Sequence, residues 1–566
     1  MSMDRRSFLK GGVIAGAAGL AALGINGCAP AAPEPVEPAG PAGPATPVAP
    51  TGWLGEAPAV DDAAITNTID VDVLVCGVGT GGVIAAGKAA AEGLKVLAID
   101  KGNVTDVKTA IGSLNNKYQK AAGVVFDKQA IVSDMERYSI SGTDRRMLNT
   151  WADRSGEAVD FFASYMEKAG AMVLANSAQN YQVGYYEPWL IEIGVPDGTP
   201  MPVYAACFSD GTAALLADIA ARGSEVRYKT ALVKLEQNAS GAVTGAIIRE
   251  ENGSYSRVNA SKGVILATGG YASNTDMLRD LQPETLEMIS LYQMTCQADG
   301  DGIKAGLWAG GTMQSTHCSM VFDRGAIPPD AVGGEDSIGL GEYCSMSSQP
   351  WLKVNLKGER FTNESALYES MPRAALNQPG HCYCVLYDAT WTEQAPRFDT
   401  HGCSRFYPYT DCNIHPAGDM EMQQMMMGML MQSGKVVQAD TIEGLAGLLG
   451  IPADKLSATV ARYNELCAKG VDEDFGKEPF RMQALQTPPY FGFRCSGALL
   501  CTLDGLLTSE KAEVLDKDFN PIPGLYAIGN DAGGFYTTCY PSLMIGLNAG
   551  RCMTFGYIAA EELAKR

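Results

Sequence analysis

Short, almost unbroken apolar runs alternate along this chain with stretches whose apolar residues recur at helical spacing. Val71–Cys76 and Lys95–Ile99 are such runs, bounded by acids and glycine, and each predicts a parallel strand buried on both faces. Between them, alanine-rich Val83–Glu92 predicts a helix. Gly263–Ala267 repeats the buried-strand pattern, whereas Ala231–Glu236, Val243–Glu250 and Ser254–Val258 alternate and predict a small antiparallel meander. Helices are expected over Asp144–Gly170, Thr212–Arg222, Ile303–Trp308, Asp440–Gly450, Ala453–Ala468 and Leu543–Glu562. Val226–Tyr228, Ala512–Leu515 and Leu525–Ile528 read as further strands, and Gly184–Met201, rich in Tyr, Trp and Pro, as loop.

The first two strands and their helix enclose Gly77, Gly79 and Gly82 in G-x-G-x-x-G spacing, and the second strand ends on Asp100. In such a unit the first glycine allows the tight turn and the second lets backbone approach a pyrophosphate. The third lets helix and strand pack, and the acid accepts from a ribose hydroxyl. Unpaired N–H groups at the helix start favour phosphate. The unit therefore predicts a dinucleotide site.

Before it, Met1–Cys28 reads as a targeting segment, with the twin-arginine pattern Arg5-Arg6-Ser7-Phe8-Leu9-Lys10 and an apolar stretch, Gly11–Ile25, too short to span a bilayer. Ile25-Asn26-Gly27-Cys28 resembles a lipobox, so lipidation at Cys28 is one expectation, and simple cleavage or retention of the segment is the other. The expected location is periplasmic or on the outer face of the cytoplasmic membrane. Ala29 to about Pro58 is a Pro/Ala/Gly tether. The expected organisation is signal 1–28, linker 29–68, nucleotide domain 69–312 and 491–566, and an inserted capping domain, 313–490, dominated by aromatics, Met, Cys and loops.

A net charge of −21 over 566 residues argues against a nucleic-acid partner. The 15 cysteines form no haem-attachment or iron–sulfur run, and four histidines supply a His-based metal site poorly. Cys382, Cys384, Cys403, Cys412, His401 and His415 could gather round a metal, but alternation puts Cys382 and Cys384 on one face of a strand, and buried thiols are the expectation; no metal is assigned. Met420–Met431 suits an adaptable apolar wall or lid, with a copper(I) site or a core helix as the alternatives.

The opening fingerprint, Ala267–Gly270 (ATGG), Asp299–Gly302 (DGDG), Gly358–Glu364 (GERFTNE), Gly470–Gly476 (GVDEDFG) and Gly524–Asn530 (GLYAIGN) together resemble the soluble fumarate reductase / 3-ketosteroid dehydrogenase flavoproteins, from about residue 69 to 566. The resemblance implies an α/β fold with a Rossmann-like FAD-binding domain and an inserted α+β capping domain. It implies non-covalent FAD, held by Gly77, Gly79, Gly81, Gly82, Asp100, Lys101, Ala267, Thr268, Gly269, Gly270, Asp301, Gly529, Asn530, Asp531, Ser542 and Leu543. It also implies reduction or formation of a carbon–carbon double bond beside an electron-withdrawing group, with hydride exchanged at flavin N5.

The departures from the family narrow this. The dicarboxylate reductases carry a proton-donating arginine four residues beyond the RFxNE glutamate; here that position is Tyr368. A second, carboxylate-clamping arginine follows the last Gly-Gly loop; here it is Tyr540. Their histidine before the last strand pair gives way to Cys501-Thr502-Leu503-Asp504-Gly505. Without the two arginines the bidentate donors for a carboxylate are gone. The ketosteroid branch has tyrosine at both places, and Tyr540-Pro541-Ser542 matches the Tyr-x-Ser of members acting between C4 and C5. Met544, where members acting between C1 and C2 have glycine, counts against those. Asn530, where the reductase branch usually has Glu, also fits the ketosteroid side.

The expected roles follow. Tyr540 polarises a conjugated carbonyl, Ser542 orients it or relays a proton, and Tyr368, a phenol with an unperturbed pKa near ~10, handles the α-carbon proton. The alternative is a pair of packed tyrosines. Arg324, Arg360 and Arg405 are further candidates for substrate contact, Arg360 more in a structural or flavin-side role. The function expected is an exported FAD-dependent reductase of a Δ4-3-ketosteroid-like enone, fed by a separate redox partner such as a membrane-linked cytochrome or quinol system. A reductase of an unsaturated acid or lactone (fumarate-, urocanate-, cinnamate- or cardenolide-type) and a non-catalytic flavin electron carrier are the alternatives.

Overall fold

The computed structural model describes residues 52–566 apart from 109–110, 122, 124, 176–178, 181–184, 187–190, 195–201, 293–296, 399, 401–403, 405–419 and 545. The targeting segment, Cys28, most of the tether, Arg405 and the Cys/His residues 401, 403, 412 and 415 lie outside the described residues. The body begins earlier than 69. Its first strand is Ile65–Cys76, Trp53 packs against an apolar cluster, and Trp308 Nε1 donates to Gly55 O at 3.3 Å.

The first sheet runs in the order Glu513–Leu515, Pro521–Ala527, Tyr255–Leu266, Ile65–Cys76, Val96–Ile99, Glu225–Arg227. Ile65–Cys76 pairs in parallel with Tyr255–Leu266 on one side and Val96–Ile99 on the other, so its apolar inner end is buried on both faces. The crossover helix Thr80–Ala91 is buried along almost its whole length, as its apolar sequence demands. It packs on the closing helix Leu547–Lys565 at glycine distance: a Cβ on Gly556 would stand 2.4 Å from Gly81 O. Burying Val83 and Ile84 there contributes roughly 1.5–3 kcal/mol each.

Ser254–Val258 and Gly263–Ala267 are one strand, Tyr255–Leu266, rather than two. Its outer half pairs antiparallel with Val243–Arg249 and its inner half lies in the parallel core. The register shifts just before Gly263, where an added Cβ would meet Gly524 O at 2.6 Å. The change from alternating to fully buried side chains, which suggested two elements, marks the passage of one strand from a half-exposed end, paired on both sides, into the buried centre of the sheet. Gly184–Met201, expected as loop, includes the short strands Tyr185–Tyr186 and Ile191–Gly194.

A second sheet is built on the long strand Tyr490–Thr502, which pairs with Ile289–Tyr292, Ser319–Ile327, Tyr383–Tyr387 and Val436–Ala439. It thus draws on chain from both sides of 313–490. Cys384 is buried in its strand Tyr383–Tyr387, and Cys382, also buried, immediately precedes that strand. Helix Met420–Gln432 buries Gln423, Met427 and Leu430 and leaves Met425 and Met429 exposed. Arg360 joins two of the sequence motifs: its guanidinium reaches Glu364 at 2.7 and 2.8 Å and Asp472 at 2.7 and 3.0 Å. It ties the two motifs to one another.

Candidate active site

Four loops from distant parts of the chain meet at the carboxyl ends of the central strands. Gly77, at φ 103°, lies so close to Ala267 that a Cβ would be 2.1 Å from its carbonyl oxygen. Thr268 and Gly270 N–H groups and the Thr268 hydroxyl all donate to the carboxylate of Asp531, and Gly302 N–H donates to Thr268 Oγ1 at 2.9 Å. Asp531 is wholly buried, and desolvation pushes its pKa up to about 6 despite those donors. Asp100 accepts from Val78 N–H at 2.8 Å and Gly102 N–H at 2.7 Å, tying the glycine loop to the second strand. Lys101 bridges Asp299 and Asp301 at 2.6 and 2.7 Å.

The glycines of the opening loop divide by what a side chain would meet. On Gly82 a Cβ would clash with Gly77 O at 1.9 Å, and on Gly81 with Cys552 O at 2.9 Å. Gly79 has an ordinary φ of −73° and no atom within 4 Å of its Cβ position. Gly269, at φ 97°, is nearly as open, its nearest atom at 4.0 Å. Packing explains Gly81 and Gly82; the space at Gly79 and Gly269 is a cradle for something that is not protein, and it fits a dinucleotide. Asn530 Oδ1 accepts from Arg551 at 3.0 Å and Asn548 at 3.2 Å, and Leu543 is buried on the same final segment.

Tyr368 and Tyr540 are both buried, and Tyr540 packs on Tyr536 with ring centres 5.8 Å apart. Phe322 meets Tyr368 edge-on at 4.6 Å, and the buried Arg324 guanidinium stands 5.5 Å from the Tyr368 ring centre. The Tyr540 hydroxyl donates to Met544 O at 3.2 Å. Ser542 does not hold it: its Oγ is buried without a hydrogen-bond partner. Ser542 faces Glu369 instead, whose carboxyl accepts from Tyr138. Neither Glu369 nor Tyr138 is marked by any sequence motif, although Glu369 directly follows Tyr368.

A second pair also escaped sequence reasoning. His317 Nδ1 lies 2.6 Å from Asp504 Oδ2, and Asp504, fully buried, also accepts from Tyr271 at 2.8 Å and Gln282 at 3.0 Å. Asp504 belongs to the Cys501–Gly505 segment that stands where the resemblance expects a histidine, and His317 reaches it from the loop before the strand Ser319–Ile327. Among the described residues no group of three or more His, Cys, Asp or Glu is placed to hold a metal ion.

The profile of the FAD binding domain family matches residues 72–546, from the opening strand to the turn before the closing helix. The chain belongs to that family. Within it, the chain is 27% identical over 503 residues to the vinyl phenol reductase of Lactiplantibacillus plantarum, a match covering 87% of this chain and 96% of that protein. It is 27% identical to the fumarate reductase (cytochrome) of Shewanella frigidimarina, over 88% of this chain and 77% of that one. The 3-ketosteroid Δ4-(5α)-dehydrogenase of Rhodococcus jostii shares the fold, with a TM-score of 0.63 at 20% identity over 89% of this chain and 99% of that one. This flavoprotein is accordingly an FAD-dependent oxidoreductase acting on CH–CH groups, of the fumarate reductase / 3-ketosteroid dehydrogenase type. FAD is its cofactor, and the open space at Gly79 and Gly269 fits it.

Proposed function

We propose that this flavoprotein reduces an alkene conjugated to a carbonyl, with a Δ4-3-ketosteroid-like enone as the leading substrate, outside the cytoplasm. One observation carries the substrate class. At the two places where carboxylate-binding relatives need arginine stand tyrosines, both buried and each packed against an aromatic ring, Tyr368 on Phe322 and Tyr540 on Tyr536. Such a wall suits a neutral ring system and offers a dicarboxylate no bidentate donors there.

Bound FAD supplies the hydride for the β carbon. The protein's part is to bind the carbonyl and deliver the proton. Tyr540 exchanges its long hydrogen bond to Met544 O for one to the carbonyl oxygen, where negative charge develops. Tyr368 gives its proton to the α carbon, and the Arg324 guanidinium beside its ring stabilises the charge it acquires. Burial of the two tyrosines excludes water from both steps. The twin-arginine pattern and the tether support export, and a separate cytochrome or quinol-linked donor is proposed as the electron source.

A hydroxystyrene is the second reading, favoured by the match along nearly the whole length of the Lactiplantibacillus protein. A vinyl phenol places its alkene in conjugation, through the ring, with a phenol oxygen that the Tyr540 side would bind. Reoxidation of the reduced holoenzyme by a panel of Δ4-3-ketosteroid, 4-vinylphenol, cinnamate and fumarate tests both. Turnover of the steroid is expected, with Tyr368→Phe about 100-fold slower or worse. Turnover of fumarate alone would overturn the assignment.

A further inference from the structure

Glu369 stands between the two sequence motifs that carry the tyrosines. It follows Tyr368 in the chain and enters the helix Ser370–Leu376. Its side chain turns to the other motif, Tyr540-Pro541-Ser542, where a tight turn is closed by Ser542 N–H donating to Tyr540 O at 2.9 Å. The carboxyl is 2% exposed. Oε1 accepts from the Tyr138 hydroxyl. Oε2 is buried with no hydrogen-bond partner, and so is Ser542 Oγ, which lies against the same carboxyl outside hydrogen-bond geometry. Two buried polar atoms that face one another and remain unjoined are costly, and they persist where a site needs them.

The charged and titratable groups around Glu369 are few. Tyr138 and Cys539 face it, with Ser370 and Thr538 bonding those two in turn, and Arg373 lies one helical turn on. Arg373 is half-buried and makes no ion pair with Glu369 in spite of its i,i+4 position. Burial pushes the Glu369 carboxyl above the usual carboxylate range, against the opposing pull of Ser542 and Tyr138. Tyr138, raised by burial and by Glu369, stays a hydrogen-bond donor.

We propose that Glu369 is the proton-carrying acid of this site, resting as the neutral carboxylic acid and restocking the tyrosine pair through Ser542. This rests on the reductase assignment above. In each reduction the alkene takes up one hydride and one proton, and a phenolate is left on Tyr368. The Glu369 O–H bond breaks as Ser542 Oγ takes that proton, and the Ser542 hydroxyl passes its own proton to the phenolate. The carboxylate left behind keeps the Tyr138 hydrogen bond and faces the Arg373 guanidinium. It regains a proton from solvent past half-buried Tyr138. No electron moves in the relay.

Glutamine would serve a purely structural Glu369 equally well, since it offers Tyr138 the same acceptor, so Glu369→Gln separates the roles. The FAD-loaded wild type at neutral pH, without substrate, is expected to show a protonated-carboxyl C=O band by infrared spectroscopy that shifts in D2O and is absent from Glu369→Gln. With reduced viologen and the best alkene of the panel, Glu369→Gln and Ser542→Ala are expected to lose about 100-fold or more in kcat at unchanged flavin content. Wild-type kcat should fall as pH rises, that dependence should vanish in Glu369→Gln, and Glu369→Asp should restore part of the rate. A Glu369→Gln enzyme with wild-type kcat and pH profile would overturn the proposal, and so would a wild type without the band. A wild type that turns over no conjugated alkene would overturn the reductase assignment alone, because the band is read without substrate.

Discussion

Gly79 and Gly82 sit three residues apart and answer to different demands. Valine at 79 is conformationally allowed, since φ is −73°, and its side chain enters open space. Gly79→Val should therefore leave the melting temperature of the apoprotein unchanged while FAD affinity, read by titration calorimetry, falls about 10-fold or more, roughly 1.4 kcal/mol. In Gly82→Ala the new Cβ would stand 1.9 Å from Gly77 O, so melting temperature and FAD content should fall together. Asp531 gives a pH signature. Its folded pKa is about 6, above the unfolded value of about 3.9, so the folded protein holds a proton that the unfolded chain has released. The stability this contributes is fully present below ~4 and is lost as pH rises through about 6. Apoprotein melts from pH 4 to 7 should show that loss, and Asp531→Asn should flatten it. The glycines were legible in the sequence because spacing alone carries their meaning. Glu369 was not, because its partners, Tyr138 and Ser542, come from 231 and 173 residues away, and only folding shows that one oxygen of its carboxyl is left without a bond.

At the level of elements, motifs that the sequence shows only in order turn out to be joined in pairs. GERFTNE and GVDEDFG meet through Arg360, whose guanidinium is shared by Glu364 and Asp472. Burial raises the Asp472 pKa, but the bonds from Arg360 and from Lys477 and Phe475 N–H outweigh it and hold this carboxyl well below the usual range. Arg360→Met would leave two carboxylates buried without their cation, with Lys477 still 3.6 Å from Glu364. A loss of about 3–5 kcal/mol is expected, read as a shift in urea midpoint at unchanged m. The double variant Arg360→Met/Asp472→Leu should recover part of it, since one of those charges is gone. The parallel strands and the crossover helix were legible because burial on both faces leaves an unbroken apolar run. The continuity of Tyr255–Leu266 was not, because one strand runs from a half-exposed end into a buried centre and its side-chain pattern changes on the way. The second sheet was the least legible: its central strand, Tyr490–Thr502, takes partners from 289 to 439, and nothing local in the sequence announces such pairing.

For the whole molecule, charge is the property that electron delivery must contend with. The net charge of −21 places the protein in a negative field that extends about 10 Å into solvent at 0.1 M salt and only about 3 Å at 1 M. Reducing equivalents that arrive on a positively charged donor, whether a basic cytochrome or a viologen radical cation, are drawn in by that field; those on an anion are held off. Such fields alter association rates by about 10- to 1,000-fold at low salt. Stopped-flow reduction of the bound flavin by a cationic donor should therefore slow steeply as salt rises from about 0.02 to 0.5 M, while reduction by dithionite should speed up over the same range. The opposite signs matter, because a salt effect on the protein's own structure would move both donors the same way. Should both rates be flat, the acidic surface has no part in choosing the donor. The electron partner would then have to be recognised by a local contact on the folded body.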